Sequence, residues 1–149
     1  MKKQTDQDIK DLELAPGITV QDYGCLITAI YNAIHEQKKY LSFVDVLSVL
    51  KEADTFGTNG MLQWKPAQHV LNFKHIKIMP KHFKNIRFSN DPKIFWIAEI
   101  PHYSNPCLSH FVNIIATRNK CITYFDVYDG ATKKINLSDC RSVRELHFT

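Results

Sequence analysis

The sequence predicts an α+β domain, with helices first and an antiparallel sheet after them. Between residues 22 and 72, apolar side chains recur at three- and four-residue spacing, the helical period. Beyond Phe73 the pattern changes to short apolar runs separated by turn residues, the signature of strands and hairpins. The chain has 149 residues, 44% hydrophobic and 23% charged, enough for one domain with its own core.

Residues 1–14 are polar and read as an arm or a weak leading helix, ahead of a single domain at 15–149. Ala15-Pro16-Gly17 is a turn. From Asp22 to Gln37, Ile27, Ile30 and Ile34 keep one helical face, and Leu26, Ala29 and Ala33 widen it. This helix is therefore expected to be buried on most sides. Ser42-Phe43-Val44-Asp45 has the form of a capping box, and Val46, Leu47, Leu50 and Ala53 continue it as a second helix ending near Asp54. Gly57–Gly60 is a loop, and Leu62–Pro66 opens a third, short helix ending near Asn72.

Ile76 and Ile78, then Phe83, Ile86 and Phe88, predict short strands around a turn at Pro80-Lys81. Asn90-Asp91-Pro92 is a turn. Ile94–Ile100 is almost wholly apolar and is expected to be a central strand covered on both faces. A loop from His102 to Cys107 leads to a strand at His110–Ala116, a turn at Arg118-Asn119-Lys120 and a returning strand at Cys121–Val127. Asp129-Gly130 is a second hairpin signal. Lys134–Leu137 is a short strand, and Val143–Phe148 closes the sheet.

The formal net charge is +4, and Lys65, Lys74, Lys77, Lys81, Lys84 and Arg87 concentrate cations in the middle third. These are interleaved with core-type residues and accompany no nucleic-acid motif, so a solvated face is favoured over a nucleic-acid partner. A basic nucleic-acid-associated protein is kept only as a third reading. No apolar run approaches the ~20 residues of a membrane span. Met1–Leu12 lacks the apolar segment of a secretory signal. Cys25, Cys107, Cys121 and Cys140 are irregularly spaced, which fits reduced thiols in a cytoplasm better than a disulfide framework.

Four residues carry the chemistry. Cys25 follows Gly24 at a helix start, where unpaired amides and the macrodipole favour thiolate. His110 opens an apolar strand just after a loop, where it can face a cleft, although on spacing alone it does not stand out among the seven histidines. Pairing about the 118–120 turn brings Asp126 to the same end of the neighbouring strand, as an orienting carboxylate requires. Asp129, directly before Gly130, suits a turn role instead. Gln21, four residues before the cysteine, could donate to an oxyanion together with the Cys25 backbone amide. Trp64 and Trp96 could line a substrate groove, although packing is the commoner role. His102, Cys107 and His110 are zinc-type ligands, but no second Cys/His pair has metal-site spacing, so no metal is assigned.

Gln21…Gly24-Cys25-Leu26-Ile27-Thr28, His110-Phe111-Val112 and Asp126-Val127-Tyr128-Asp129-Gly130 together resemble the papain-like cysteine peptidases related to the double-glycine leader peptidases of bacteriocin exporters. The likeness is to a Gly-Cys-x-x-Thr branch found in bacteria and phages, in which a segment like Met61-Leu62-Gln63-Trp64 recurs. It spans roughly residues 18–137 and departs from the family at Leu26, at Val127 and in the short spacing from Gln21 to Cys25. The resemblance implies a papain-like fold, with a buried nucleophile helix packed on an antiparallel sheet. It implies a peptidase or amidase acting on a peptide or protein without a cofactor, with Cys25 as nucleophile, His110 as base, Asp126 as orienter and Gln21 in the oxyanion hole. The location it implies is a bacterial or phage-infected cytoplasm. The alternative is a non-catalytic module of the same fold that binds a protein partner, phage-encoded or part of a virion.

Overall fold

The computed structural model describes every residue, Met1–Thr149. A short hairpin, β1 (Glu13–Ala15) and β2 (Ile18–Thr19), leads into α1 (Val20–Tyr23), α2 (Cys25–Gln37), α3 (Phe43–Glu52) and α4 (Trp64–Leu71). The strands follow: β3 (Phe73–Ile78), β4 (Ile94–Pro101), β5 (Ser109–Arg118), β6 (Cys121–Phe125), β7 (Thr132–Asn136) and β8 (Ser142–Phe148). β3 to β8 form one antiparallel sheet in the order β3-β8-β4-β5-β6-β7. The expected α+β order of helices before sheet is therefore what the chain adopts. No helix is long and apolar enough to cross a membrane.

Alternation along the strands divides the side chains between two cores. Ile97, Leu146, Phe73 and Phe148 join Ile27, Ile30, Ile34, Val46 and Leu50 of the helices in one cluster. Ala98, Ile100, Val112, Ile122, Tyr124 and Val143 form the second. α2 is buried from Ile27 to Ile34, as its apolar residues predict. α3 begins with the expected capping box: Ser42 Oγ accepts from the Asp45 amide at 3.1 Å, and the Ser42 amide donates to Asp45 Oδ2 at 3.0 Å. Asn72 stops α4 in the left-handed region at φ 57°.

Three local expectations change. Residues 83–88 are not a strand. Pro80–Asn85 is a 3₁₀ turn, and Phe83 enters the second core with Ile86 packed beside it. Their three-residue separation is the period of that turn, which short apolar pairs cannot distinguish from a strand. β8, expected to close the sheet as its last strand, inserts between β3 and β4. Finally, the polar arm is seated in the fold. Ile9 and Leu14 belong to the helical core, and Gln4 is only 2% exposed.

A buried pair of amides fixes α2 against β5. Asn113 Nδ2 donates to the Ala29 carbonyl at 2.9 Å, and Asn32 Nδ2 donates to Asn113 Oδ1 at 2.9 Å. Asn32 also holds the arm, accepting from the Lys2 amide at 2.7 Å and donating to the Lys2 carbonyl at 3.1 Å. Directional bonds of this kind set the height of one element against another, which apolar contact alone does not. They hold the helix that starts at Cys25 against the strand that starts beside His110.

Candidate active site

The nucleophile turn is built by one glycine. The Gly24 amide donates to the Val20 carbonyl at 2.7 Å, closing α1. A Cβ on Gly24 would lie 2.4 Å from that carbonyl oxygen and 2.8 Å from Val20 Cα, so no larger residue fits. α2 then starts at Cys25, and its cap residue, Gly24, has no side chain to satisfy the first-turn amides. Those N–H groups and the helix dipole lie at the half-buried Cys25. Three residues on, Thr28 is fully buried and its hydroxyl has no partner.

His110 and Asp126 are brought onto one face by a bulge. The β5–β6 hairpin turns at Asn119-Lys120, both with positive φ, and pairs Arg118 with Cys121. An unbroken ladder from that turn would set Asp126 opposite Asn113, leaving His110 on the other face. The register shifts between Ile114 and Ala116, so that Asn113 pairs with Phe125. That one-residue slip places Asp126 on the side of Val112 and therefore of His110. The two side chains, 7% and 6% exposed, meet at 2.8 Å between His110 Nε2 and Asp126 Oδ1.

The electrostatics follow from these contacts. Burial opposes a charged imidazole at His110, but the hydrogen bond to Asp126 and the neighbouring Cys25 outweigh it and raise its pKa to about 9. Burial likewise opposes a charged Asp126. Its bonds from His110, Lys133 and the Tyr128 amide outweigh that and hold the carboxyl well below the usual range. Asp126 is thus an anion, so His110 carries its proton on Nε2 and presents Nδ1 to the rest of the site. Of the other cysteines, burial pushes the Cys140 thiol up to about 11.

Two contributors escaped the sequence reading. Lys133, on the edge strand β7, places Nζ 2.7 Å from Asp126 Oδ2 and 2.8 Å from Asp129 Oδ2. Asp129 also accepts the Ala131 amide at 2.8 Å, which is the turn role assigned to it. Gln4, from the arm, donates through Nε2 to the Gln21 carbonyl at 2.7 Å and the Val20 carbonyl at 3.2 Å. Its own amide reaches the Val127 carbonyl at 2.7 Å. Gln4 thus ties the nucleophile turn to the residue after Asp126. Gln4 acts from a segment remote from the motifs, and Lys133, three residues past Gly130, reads in the sequence as an ordinary lysine of an edge strand.

The remaining candidates divide. Gln21 sits in α1 half-buried, and its side chain makes no hydrogen bond. Trp64 packs against the helical core: its ring stacks on His75 at 3.9 Å, and the Arg144 guanidinium lies 5.1 Å from its centroid. Its neighbour Phe111, at 6.4 Å, adjoins His110. Trp96 is 8% exposed in the second core against Phe88, so its faces are not open to a substrate. His102 lies 5.8 Å from His110, centroid to centroid, but turns its Nδ1 to Ser104, and Cys107 is exposed on the loop. Cys25, His110 and Asp126 can together generate a thiolate, hold an imidazolium beside it and hand its proton to a leaving group. Compared with known proteins, the chain matches no protein-family model and no curated protein.

Proposed function

We propose that the chain is a papain-like cysteine peptidase or amidase. The reading rests on one arrangement: a buried imidazole bonded to an ionised carboxylate, with Cys25, at an uncapped helix start, close enough to favour its protonated form. Asp126 holds the His110 proton on Nε2, which leaves Nδ1 to take the thiol proton. The Cys25 thiolate attacks the carbonyl carbon of an amide, and the oxyanion meets the Cys25 backbone N–H. The His110 imidazolium gives its proton to the departing nitrogen, leaving a thioester. Water, deprotonated by His110, then releases the acid and restores Cys25. No cofactor enters these steps. Peptides or proteins are the substrates. All four cysteines are unpaired, which fits the reducing cytoplasm of a bacterium or an infected host.

The test pairs labelling with turnover. Iodoacetamide at mildly acidic pH should alkylate Cys25 before Cys107, Cys121 and Cys140. A mixed peptide pool should gain new termini that vanish with Cys25→Ala. Equal labelling of all four thiols together with no cleavage would overturn the reading. The second reading, a non-catalytic binding module of the same fold, is favoured by one observation: the Gln21 amide is not fixed by any hydrogen bond. Selective labelling of Cys25 without any turnover would decide for it.

A further inference from the structure

The contact between Lys133 and Asp126 has a role that the three-residue mechanism leaves out. Asp126 is fully engaged. Oδ1 receives His110 Nε2 at 2.8 Å and the Tyr128 amide at 2.9 Å, and Oδ2 receives Lys133 Nζ at 2.7 Å. The charges alternate along this line: imidazolium, carboxylate, ammonium. The Lys133 side chain is 39% exposed, whereas Asp126 is 6% exposed, so the lysine brings a solvated cation to a buried anion. We propose that Lys133 is a fourth, positioning member of the site, which holds Asp126 as a fixed anion and draws part of its charge away from His110. This rests on the cysteine-peptidase reading for its purpose, but its physical content, a coupling of Lys133 to His110, is measurable without turnover.

The direction of the coupling follows from the contacts. With Lys133 gone, Asp126 keeps both bonds on Oδ1, so its orientation survives. Its charge is then shared with one cation instead of two, and His110 should hold its proton more tightly. A tighter hold slows proton transfer to a leaving group, because a base works best when its pKa lies near the working pH. The other ionisable groups around the pair are Cys25 on α2, His102 on the β4–β5 loop, Tyr124 on β6, and Tyr128 and Asp129 in the β6–β7 turn. From the arm, Lys3 packs on Gly130, with its Nζ 3.8 Å from Asp6. None of these is removed by changing Lys133, although Asp129 loses its cation too.

The experiment is a titration of the His110 ring by NMR in the wild-type protein and in Lys133→Met, Lys133→Arg and Asp129→Asn. Lys133→Met should raise the His110 pKa by roughly one unit, within the range for losing one adjacent charge. Lys133→Arg should restore the original value. Asp129→Asn, which leaves Lys133 on Asp126, should hold it within a few tenths of a unit. The alkaline limb of Cys25 alkylation should move with His110 in each variant. An unchanged His110 in Lys133→Met would reduce Lys133 to a brace for the turn and overturn the proposal. A fall would overturn it too, since that would mean the lysine holds Asp126 in place and does not share its charge. An equal rise in Asp129→Asn would assign the effect to the turn, again against it. If His110 responds as stated while no peptide is cleaved, the coupling stands and the enzymatic reading falls. If peptides are cleaved and His110 does not respond, the enzymatic reading stands and the coupling falls.

Discussion

Asn113→Ala tests whether the amide pair between α2 and β5 sets the geometry of the site. The change removes the bond to the Ala29 carbonyl and the bond from Asn32, each 2.9 Å long and buried. At about 1 kcal/mol each, these account for ~2 kcal/mol. The void left by the amide adds roughly 1 kcal/mol, the lower end for a buried truncation. Asn32 keeps both bonds to Lys2, so no buried group is left wholly unpaired. The expected loss is therefore ~3 kcal/mol, which for a chain of this size lowers the melting temperature by roughly 6–12 °C. Calorimetry measures that shift. The rate of Cys25 alkylation by iodoacetamide, measured well below the transition, reports whether the helix start has moved from His110. Both should fall. A double-mutant cycle with Asn32→Ala should be non-additive by ~1 kcal/mol, as for residues in one network. A melting temperature within about 2 °C of wild type would show that apolar packing alone sets the helix, and would refute the argument.

Other outcomes follow from the same geometry. Asp126→Asn should leave the fold intact, return His110 from about 9 toward its ordinary range and cut turnover by up to ~10⁴; Asp129→Asn should have only a small stability effect, and a reversal of the two kinetic results would sink the assignment. Gly24→Ala would press a methyl to 2.4 Å from the Val20 carbonyl, so urea denaturation should show roughly 1–3 kcal/mol of destabilisation together with slower alkylation of Cys25. Stability should peak near pH 6.5. His110, raised to about 9, contributes fully below 6.5 and loses that contribution as pH climbs through 9. His75, depressed to about 4 by burial, Arg144 and Lys77, costs stability as pH falls from 6.5 toward 4, because only the unfolded chain takes up that proton. His75→Gln should flatten the acid side of a melting-temperature profile and leave the alkaline side alone.

The site was legible where local chemistry dictates structure. Gly24-Cys25 could be read because a glycine before a helical run marks a tight entry, and the collision at Val20 is the physical reason. The partnership of His110 with Asp126 was read from hairpin register, yet the reading leaned on an unseen compensation. The turn is centred half a residue later than its sequence suggested, and the bulge near Ile115 restores the face. Ile114-Ile115-Ala116 contains no glycine or polar residue to advertise a bulge. Lys133 was invisible for another reason: a lysine on a short edge strand ordinarily serves to block pairing with other chains. Trp96 shows the limit of composition, since a large aromatic in an apolar strand has the same sequence signature whether it lines a groove or fills a core. The arm was masked by its polarity, because Gln4 is buried through hydrogen bonds and not through apolar area.

That arm has a consequence for how the protein is made. Lys2 grips α2 through Asn32, Gln4 grips the nucleophile turn and Val127, and Thr5 grips the Tyr128 carbonyl at 2.7 Å across 123 residues of sequence. The arm therefore finds two of its partners, Val127 and Tyr128, in the β6–β7 turn, 123 residues later in the chain. At ~5–20 residues per second, the arm waits on the order of 10 s for the segment that carries Asp126 and Tyr128. Contacts of such long range are the slowest to form, because loop entropy must be overcome before they return any energy. The helices and the first strands can collapse earlier, but the stitch between the cysteine turn and the carboxylate turn closes only once the β6–β7 turn has been made. A nascent chain thus leaves the Cys25 turn and the Asp126 turn unstitched until at least four of the six strands of the sheet exist.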